Sequence, residues 1–362
     1  MAIDWWLRSG PRPAAPAFFS DAELRDVRKF YAGISETTPL HRLPGLAAAL
    51  GVEDVLVKDE SGRFGLPAFK IVGARYAIGK LVERRGAGLR HLACATAGNH
   101  GRAVARAAHG LGLEAHVYVP VGTAAAPIQA LRSEGAHVVV TSVEYDDTVR
   151  LMAEDAAESG WTIVSDTAWT GYEEIPRWIM AGYTRLLEEA EAEWGAQPPG
   201  IVIVQAGVGS LAGAVAGWLA ARFGDRRPRM VTVEPSGAAC VLESLRAGRS
   251  TVLPSCAPTA MVGLRCGEVS PLAWSALEHA VDAAIAVNDA LTTEATDLLA
   301  HPIVGDPLIH AGASGAAGVG ALLALCRDPN LAGMRAGLDL NGRARVLVLV
   351  TEGVVPFFHR FP

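Results

Sequence analysis

Lys70 is the residue whose type and surroundings point most directly to covalent chemistry. It lies in the segment SGRFGLPAFKIVGA, near the start of a predicted helix and between the apolar residues Phe69 and Ile71. Burial disfavours the charged ammonium and lowers the pKa of a lysine, which suits an amine that forms a Schiff base with a carbonyl group. The alternative is a side chain whose stem is buried while its amine reaches solvent. This segment alone leaves both interpretations open.

Two turns of small residues could bind anions. In CATAGNHGRAVA, a strand leads into a helix whose first backbone N–H groups could hold a carboxylate, and Asn99 adds an amide donor. In IVIVQAGVGSLAGAVAG, the lack of side chains at Gly207 and Gly209, before Ser210, lets backbone amides close around a phosphate. Taken singly, the first turn could be a tight bend with Gly98 or Asn99 at positive φ. The second could be a dinucleotide site or a close helix contact.

The apolar segment RVLVLVTEGVV adds a hydroxyl at the end of a predicted strand. Thr351 could hydrogen-bond a pyridine nitrogen there, or it could simply end the strand. Along the chain the order is therefore a lysine, an Asn-bearing anion turn, a Gly-rich phosphate turn and a strand that ends in a hydroxyl. This order resembles the layout of fold-type II enzymes that use pyridoxal 5′-phosphate (PLP), the tryptophan synthase β superfamily.

The elements that must position these residues follow a regular rhythm. Continuous apolar runs that lead through Gly or Ser into a helix are typical of parallel strands buried on both faces. The sequence therefore predicts a doubly wound α/β fold, with ligands at the carboxyl ends of the strands and an irregular stretch over residues 1–20. Strands are predicted in VEDVLVKDE, HLACATA, AHVYVP, HVVVTS, TIVSDTA, IVIVQAG, MVTVEP and RVLVLVT, and helices at 21–30, 67–83, 101–111, 126–134, 145–158, 174–194, 210–222 and 316–325.

Length and composition exclude several classes of protein. With 362 residues, half of them hydrophobic and 19% charged, the chain is expected to form two globular domains. A net charge of -6 without long basic clusters argues against nucleic-acid binding. No apolar run is long enough to cross a membrane, and no secretory signal is recognisable. Five scattered cysteines suit a reducing compartment, so we expect a cytoplasmic protein.

Four segments make the resemblance closer than the superfamily. Residues 38–70, the GNHGRAVA turn, SDTAWTGYEEIPRWIMAGY (165–183) and QAGVGSLAGAV (205–215) resemble the diaminopropionate ammonia-lyases, and weaker matches extend the resemblance over most of the chain from residue 36. The resemblance implies two doubly wound α/β domains with the cofactor in the cleft between them. The larger would comprise 1–87 and 169–362, and 88–168 would form a smaller, mobile domain. It also implies a homodimer.

The same resemblance assigns residues to a site without a metal ion. Lys70 becomes the Schiff-base lysine, Asn99 the donor to the 3′-oxygen of PLP, and Thr351 the partner of its pyridine nitrogen. Asp166 becomes a second catalytic residue, for proton transfer and amine recognition. The implied cofactor-binding residues are Phe69, Lys70, Asn99, Gly207, Val208, Gly209, Ser210, Leu211 and Thr351, and the implied substrate-binding residues are Thr96, Ala97, Gly98, His100 and Asp166.

Three segments depart from the family pattern, at five positions. Ala97 stands where the family has an aspartate, Ala313 where it has a glutamate, and Val354, Val355 and Pro356 replace an acidic stretch. The loss of these groups indicates a substrate that is less cationic than 2,3-diaminopropionate or lacks its β-amino group.

The predicted function is a PLP-dependent β-elimination on a small β-substituted amino acid such as 2,3-diaminopropionate, which gives a 2-oxo acid and ammonia. The alternatives are a β-replacement synthase, a lyase with a changed substrate, and a PLP-binding protein with impaired catalysis. An NAD-dependent oxidoreductase built on the Gly207 turn is more remote. The ribose-binding acid that it requires has no convincing counterpart in Asp225, although Glu234 comes near.

Overall fold

The computed structural model describes residues 3–14, 17–34 and 36–354. The strands are β1 (Asp4–Leu7), β2 (Leu40–Arg42), β3 (Asp54–Asp59), β4 (His91–Ala95), β5 (Glu114–Val119), β6 (Ala136–Val140), β7 (Thr162–Ile163), β8 (Ile201–Gln205), β9 (Arg229–Pro235), β10 (Ala283–Val287) and β11 (Arg345–Val350). The helices are α1 (Asp21–Tyr31), α2 (Pro44–Leu50), α3 (Lys70–Arg85), α4 (Asn99–His109), α5 (Ala125–Ser133), α6 (Tyr145–Ser159), α7 (Glu174–Glu193), α8 (Ser210–Phe223), α9 (Cys240–Ala247), α10 (Pro271–Ala280), α11 (Asp289–Ala300), α12 (Ala313–Arg327) and α13 (Ala332–Gly337).

A large sheet has the strand order β1-β10-β9-β8-β11-β3-β2. Its inner neighbours run parallel, and the edge strands β1 and β2 are antiparallel. Successive residues of a strand point to opposite faces, and both faces of this sheet are buried. Ile201 and Ile203 of β8 pack into one hydrophobic layer, whereas Val202 and Val204 pack into the other. This arrangement confirms the predicted α/β fold.

A smaller parallel sheet has the order β6-β5-β4-β7. One of its faces carries Leu92, Cys94 and Val117, which belong to the same hydrophobic layer as Val202 of β8. The other face carries Ala93 and Tyr118, which pack against α6. All of its strands lie between residues 91 and 163. The predicted boundary of a separate, mobile domain at 88–168 stays a prediction.

The chain begins differently from the prediction. Residues 4–7, expected to be irregular, form strand β1, which pairs with β10. The eight strands predicted from apolar runs are present, and each predicted helix is present with ends shifted by a few residues. Val355 and Pro356 lie outside the described residues, and no helix of the described chain is long and apolar enough to span a membrane.

Close helix packing fixes the position of α3. Where α3 crosses α7, a Cβ on Gly73 would lie 2.5 Å from the Tyr183 ring, and a Cβ on Gly182 would lie 2.9 Å from the Gly73 Cα. Only glycine permits this approach.

A buried ion network anchors the segment that enters α3. Lys58 at the end of β3 donates to Glu189 of α7 at 2.8 Å, and Arg63 donates to the same carboxylate at 2.7 Å. Burial opposes the charge of this carboxylate, but the two cations hold the pKa of Glu189 down at about 2. The network therefore ties the loop before Lys70 to the large sheet and to α7.

Candidate active site

Lys70 and Asp166 form an ion pair between a helix that follows the large sheet and a segment that follows the smaller sheet. Lys70 is the first residue of α3, and Asp166 follows β7. The Lys70 ammonium donates to the Asp166 carboxylate, and the two side chains retain 23% and 15% of their exposure. Just before Lys70, the backbone N–H of Phe69 donates to the Thr351 carbonyl at 3.3 Å. The lysine therefore stands beside the end of β11.

The electrostatics of this pair correct one expectation. Burial acts to lower the pKa of Lys70, as expected from the sequence, but the Asp166 carboxylate outweighs burial, so that the pKa of Lys70 is raised. Burial likewise works against the carboxylate, yet Lys70 and His100 hold the pKa of Asp166 well below its usual range. The two groups are therefore charged together at neutral pH.

The segment around Asp166 is held by hydrogen bonds on both sides. The Tyr172 hydroxyl accepts from the Ser165 N–H at 2.8 Å and donates to the Ile163 carbonyl at 2.9 Å. Ser210, at the start of α8, donates its hydroxyl proton to the Asp166 carbonyl at 2.6 Å. These contacts give a structural reason for the distinctive SDTAW…GYEE motif, because its tyrosine positions its aspartate.

The Asn-bearing turn lies on the other side of Asp166. His100 Nε2 is 2.9 Å from the Val164 carbonyl, which can only accept, so that Nε2 carries a proton and Nδ1 faces Asp166 at 3.8 Å. Gly98, at the N-cap of α4, has a φ of -98°, and Asn99 begins the helix. The alternative of a turn that needs positive φ at either residue is therefore wrong. Thr96 accepts from the Gly98 N–H at 3.1 Å, and the half-buried Ala97 lies between them.

The Gly-rich turn leaves an open helix N-terminus. Gly209 has a left-handed φ of 89°, and α8 begins at Ser210 without a side-chain cap. A Cβ on Gly207 would lie 3.1 Å from Cys266 Sγ, so that side chains are excluded on this side of the turn. The Val208 carbonyl accepts from the Ser270 N–H at 2.8 Å, which fixes the backbone of the turn. Leu211, in the first turn of α8, is buried. An uncapped helix N-terminus of this kind attracts a phosphate.

Thr351 is buried, and a residue that the sequence analysis missed orients it. The Gln205 side-chain amide donates to Thr351 Oγ1 at 2.7 Å. The hydroxyl thus accepts from Gln205, which leaves its own proton free to be donated to a ring nitrogen. Gln205 ends strand β8, and a polar residue at the end of an apolar strand was the signal that could have identified it.

Glu352 is a second residue that the sequence analysis missed. Asn99 donates its amide to the Glu352 carboxyl at 2.6 Å. A Cβ on Gly312 would lie 3.0 Å from the same carboxyl, and a Cβ on Gly315 would lie 2.1 Å from the Glu352 carbonyl. Burial raises the pKa of Glu352 from its ordinary 4.5 to about 7, although Asn99, Ser314 and Lys70 oppose the shift. The site therefore holds a carboxyl group that ionises near neutral pH.

This shift predicts a pH-dependent stability. A raised pKa means that the neutral carboxyl stabilises the fold fully below about pH 4.5, and that this contribution is lost as the pH rises through about 7. Between about pH 5.5 and about pH 8.5, the cofactor-free wild type should lose on the order of 2 kcal/mol more of its free energy of unfolding than Glu352→Gln. Urea unfolding at both pH values measures the difference.

The matched control is Glu154→Gln, because Glu154 is an exposed glutamate on α6. This variant should follow the wild type at both pH values. Equal pH dependence of wild type and Glu352→Gln would contradict the assignment of a titrating carboxyl to Glu352.

The residues present fit PLP. The uncapped N-terminus of α8 offers backbone donors to a phosphate, and the Thr351 hydroxyl is available to a ring nitrogen. His100 Nδ1 is a buried polar atom without a hydrogen-bond partner among the described residues, which suits a site that a polar ligand completes. Glu234, the nearest approach to a dinucleotide-binding acid, is buried and accepts from the Val241 and Leu242 N–H groups at 2.7 and 2.8 Å. Glu234 therefore caps the N-terminus of α9 and is not available to bind a ribose hydroxyl. This contact argues against the oxidoreductase alternative.

The fold and the site together define a PLP-dependent enzyme of fold type II. The family described as "Pyridoxal-phosphate dependent enzyme" matches residues 33–352. The diaminopropionate ammonia-lyase of Escherichia coli is 40% identical over 356 residues, which cover 92% of this chain and 89% of that protein. The chain therefore belongs to the PLP-dependent enzyme family and, within it, to the diaminopropionate ammonia-lyase family, and its cofactor is PLP.

Solved structures agree with this assignment. The crystal structure of the Escherichia coli diaminopropionate ammonia lyase with an aminoacrylate-PLP azomethine reaction intermediate matches with a TM-score of 0.87 at 39% identity. The complex of the same enzyme with D-serine matches with a TM-score of 0.88 at 38% identity. Both matches cover 97% of this chain and 94% of the solved chain.

Proposed function

We propose that this enzyme catalyses the β-elimination of a small β-substituted amino acid of the 2,3-diaminopropionate type. With that substrate, water supplies the keto oxygen, and both amino groups leave as ammonia beside the 2-oxo acid. The observation that carries the proposal is the Lys70–Asp166 pair, in which the amine at the start of α3 contacts the carboxylate of a residue whose carbonyl accepts from Ser210 at the start of α8. Its setting in a chain of the ammonia-lyase family supports elimination.

The residues that would hold PLP come from four elements. Lys70 would bind its carbonyl carbon, and Asn99 would donate to its 3′-oxygen. The backbone of residues 207–211 would hold its phosphate, Thr351 would donate to its ring nitrogen, and Phe69 would line the pocket. When bound, PLP withdraws electrons from Cα and so makes the Cα proton easier to remove.

Lys70 and Asp166 would then divide the proton transfers. The Lys70 amine would remove the Cα proton, which requires that it first give up the proton that Asp166 stabilises. Asp166 is ionised, so it would take up the proton from Lys70 and then deliver that proton to the leaving group, because it contacts the amine directly. His100, 3.8 Å from Asp166, would help to orient the carboxylate. Thr96, Ala97 and Gly98 would bind the substrate carboxylate at the start of α4.

The departures at Ala97 and Ala313 make the substrate the main question. Ala97 lies in the turn before α4, and Ala313 is the first residue of α12, beside the glycines that contact Glu352. Neither position offers a carboxylate to a cationic β-substituent. A lyase with a less cationic substrate, or a β-replacement synthase, is therefore the second candidate.

A panel of amino acids separates these candidates. The holoenzyme is incubated with 2,3-diaminopropionate, serine and O-acetylserine, each with and without an added thiol or amine. Release of 2-oxo acid and ammonia supports the lyase, whereas a coupled amino-acid product supports the synthase. Failure to turn over any of them would count against both and favour a PLP-binding protein with impaired catalysis.

Restoring the family carboxylate tests the role of position 97. Ala97→Asp should raise the ratio of kcat/KM for 2,3-diaminopropionate to that for serine by about tenfold, because a hydrogen bond to a charged group contributes about 1.5–3 kcal/mol. Ala97→Asn is the matched control, since it has nearly the same shape without the charge. The proposal for this position fails if Asn changes the ratio as much as Asp does.

We also propose a cytoplasmic homodimer in which residues 88–168 move as a unit when substrate binds. The five free cysteines suit a reducing compartment, and the family resemblance supports the dimer and the moving unit. Sedimentation equilibrium, cell fractionation and hydrogen exchange with and without substrate check the three statements. A monomer, an exported protein, or unchanged exchange in 88–168 would refute the corresponding one.

A further inference from the structure

Three histidines and a glutamate cluster on the smaller sheet, away from the PLP site. His91 begins β4, Glu114 and His116 lie on β5, and His137 lies on β6. The parallel register pairs His91 with Glu114 and His116 with His137. Because Glu114 and His116 are two residues apart on one strand, all four side chains share a face of the sheet.

The spacing of their polar atoms suits a single metal ion. His91 Nδ1 lies 3.2 Å from His116 Nε2. Glu114 Oε2 lies 3.5 Å from both His91 Nδ1 and His137 Nε2. Two ligands on a tetrahedral zinc ion, with bonds of about 2.0–2.1 Å, are about 3.3 Å apart. The ligand atoms of His91, Glu114 and His116 all lie within 4.8 Å of one another, so that small side-chain movements would bring them around one ion.

An aromatic stack holds the central ligand in place. The ring of His116 lies flat against Trp161, with centroids 3.8 Å apart and an interplanar angle of 7°. The outer ligands are accessible, since the side chains of His91, Glu114 and His137 are 38%, 54% and 62% exposed. An ion from solution can therefore reach these ligands, of which the central one, His116, is already held in place.

We propose that His91, Glu114 and His116, with His137 as a fourth ligand, form a binding site for a divalent transition-metal ion of the zinc class. Imidazole and carboxylate donors favour Zn²⁺, Ni²⁺ or Co²⁺ over Mg²⁺ and Ca²⁺, which prefer oxygen ligands. His91 starts β4, whereas Thr96 follows its end, so that the metal site and the PLP site occupy opposite ends of this strand. The bound ion links three neighbouring strands and stabilises the smaller sheet without entering the chemistry.

Zinc binding to the tag-free holoenzyme tests this site. Equilibrium dialysis against ZnCl₂, with metal analysis of the protein, should give one ion per chain in the wild type. The double variant His91→Gln/His116→Gln should bind this ion at least about tenfold more weakly. The matched control is His279→Gln/His301→Gln, since both residues are exposed and lie outside the smaller sheet, and it should bind zinc as the wild type does.

Two further measurements separate the site from a folding effect. Zinc should raise the Tm of the wild type and of the control but not that of the His91/His116 variant. All three proteins should keep the PLP absorbance and the same turnover, which shows that the variant is folded. Equal zinc binding by the wild type and the His91/His116 variant, or no binding by the wild type at micromolar ZnCl₂, would overturn the proposal.

Discussion

Lys70→Ala is expected to lower kcat by at least about 10³-fold and to remove the visible absorbance of the lysine-linked cofactor. The amine is proposed both to bind PLP and to remove the Cα proton, so that one substitution deletes an anchor and a base. PLP should still bind through its phosphate, because residues 207–211 are unchanged. The spectrum of protein purified with excess PLP and the rate of ammonia release measure the two effects.

Lys80→Ala is the matched control for this variant. Lys80 lies on the same helix, where its ammonium pairs with Asp26 and Glu83 at the surface. This variant should keep both the absorbance band and the turnover. Turnover by Lys70→Ala at the wild-type rate would remove Lys70 from its proposed role.

Asp166→Asn is expected to lower kcat by about 10²–10⁴-fold while the absorbance band is kept. The amide preserves the size of the side chain and the contact of the Asp166 carbonyl with Ser210, but it cannot accept or deliver a proton at neutral pH. Without the carboxylate, burial acts on the amine largely unopposed, so that the pKa of Lys70 should fall. The pH dependence of kcat/KM should therefore shift, in addition to the fall in the value of kcat/KM.

A lower kcat together with an unchanged absorbance band would separate a role in proton transfer from a role in holding the cofactor. Asp147→Asn, an exposed aspartate on α6, is the control and should behave as the wild type. Loss of the absorbance band in Asp166→Asn would show that Asp166 is needed for cofactor binding. An unchanged kcat would exclude it from proton transfer.

Much of the fold could be predicted from the sequence, because its central strands are continuously apolar. β8 and β11 need no alternation of polar and apolar residues, since both faces of the sheet are buried. Three strands escaped this criterion, namely β1, the three-residue β2 and β10. β10, with the sequence AAIAV, is rich in alanine, which favours helices more than strands. The short β1 exists only through its pairing with β10, a contact across most of the chain.

The site was only partly predictable, because its residues are brought together by tertiary contacts. Lys70 and the two turns carry local signals, whereas Asp166, 96 residues further along the chain, was found only through the family resemblance. Glu352 was missed because an acid after Thr351 is unremarkable in sequence. Its burial depends on glycines of another segment, at 312 and 315. The histidine cluster depends on the register of three parallel strands, which no local motif records.

The tight packing around Glu352 also restricts which substitutions this enzyme can accept. A side chain at Gly312 would collide with the Gly353 carbonyl at 2.4 Å, and one at Gly315 would collide with the Glu352 backbone. Ser314 between them is committed to a hydrogen bond from the Gly263 N–H. Within residues 312–315, position 313 is therefore the one where natural variation can alter the site and spare the scaffold. A substitution at position 313 is therefore expected to change the surroundings of the Glu352 carboxyl without a collision with the backbone.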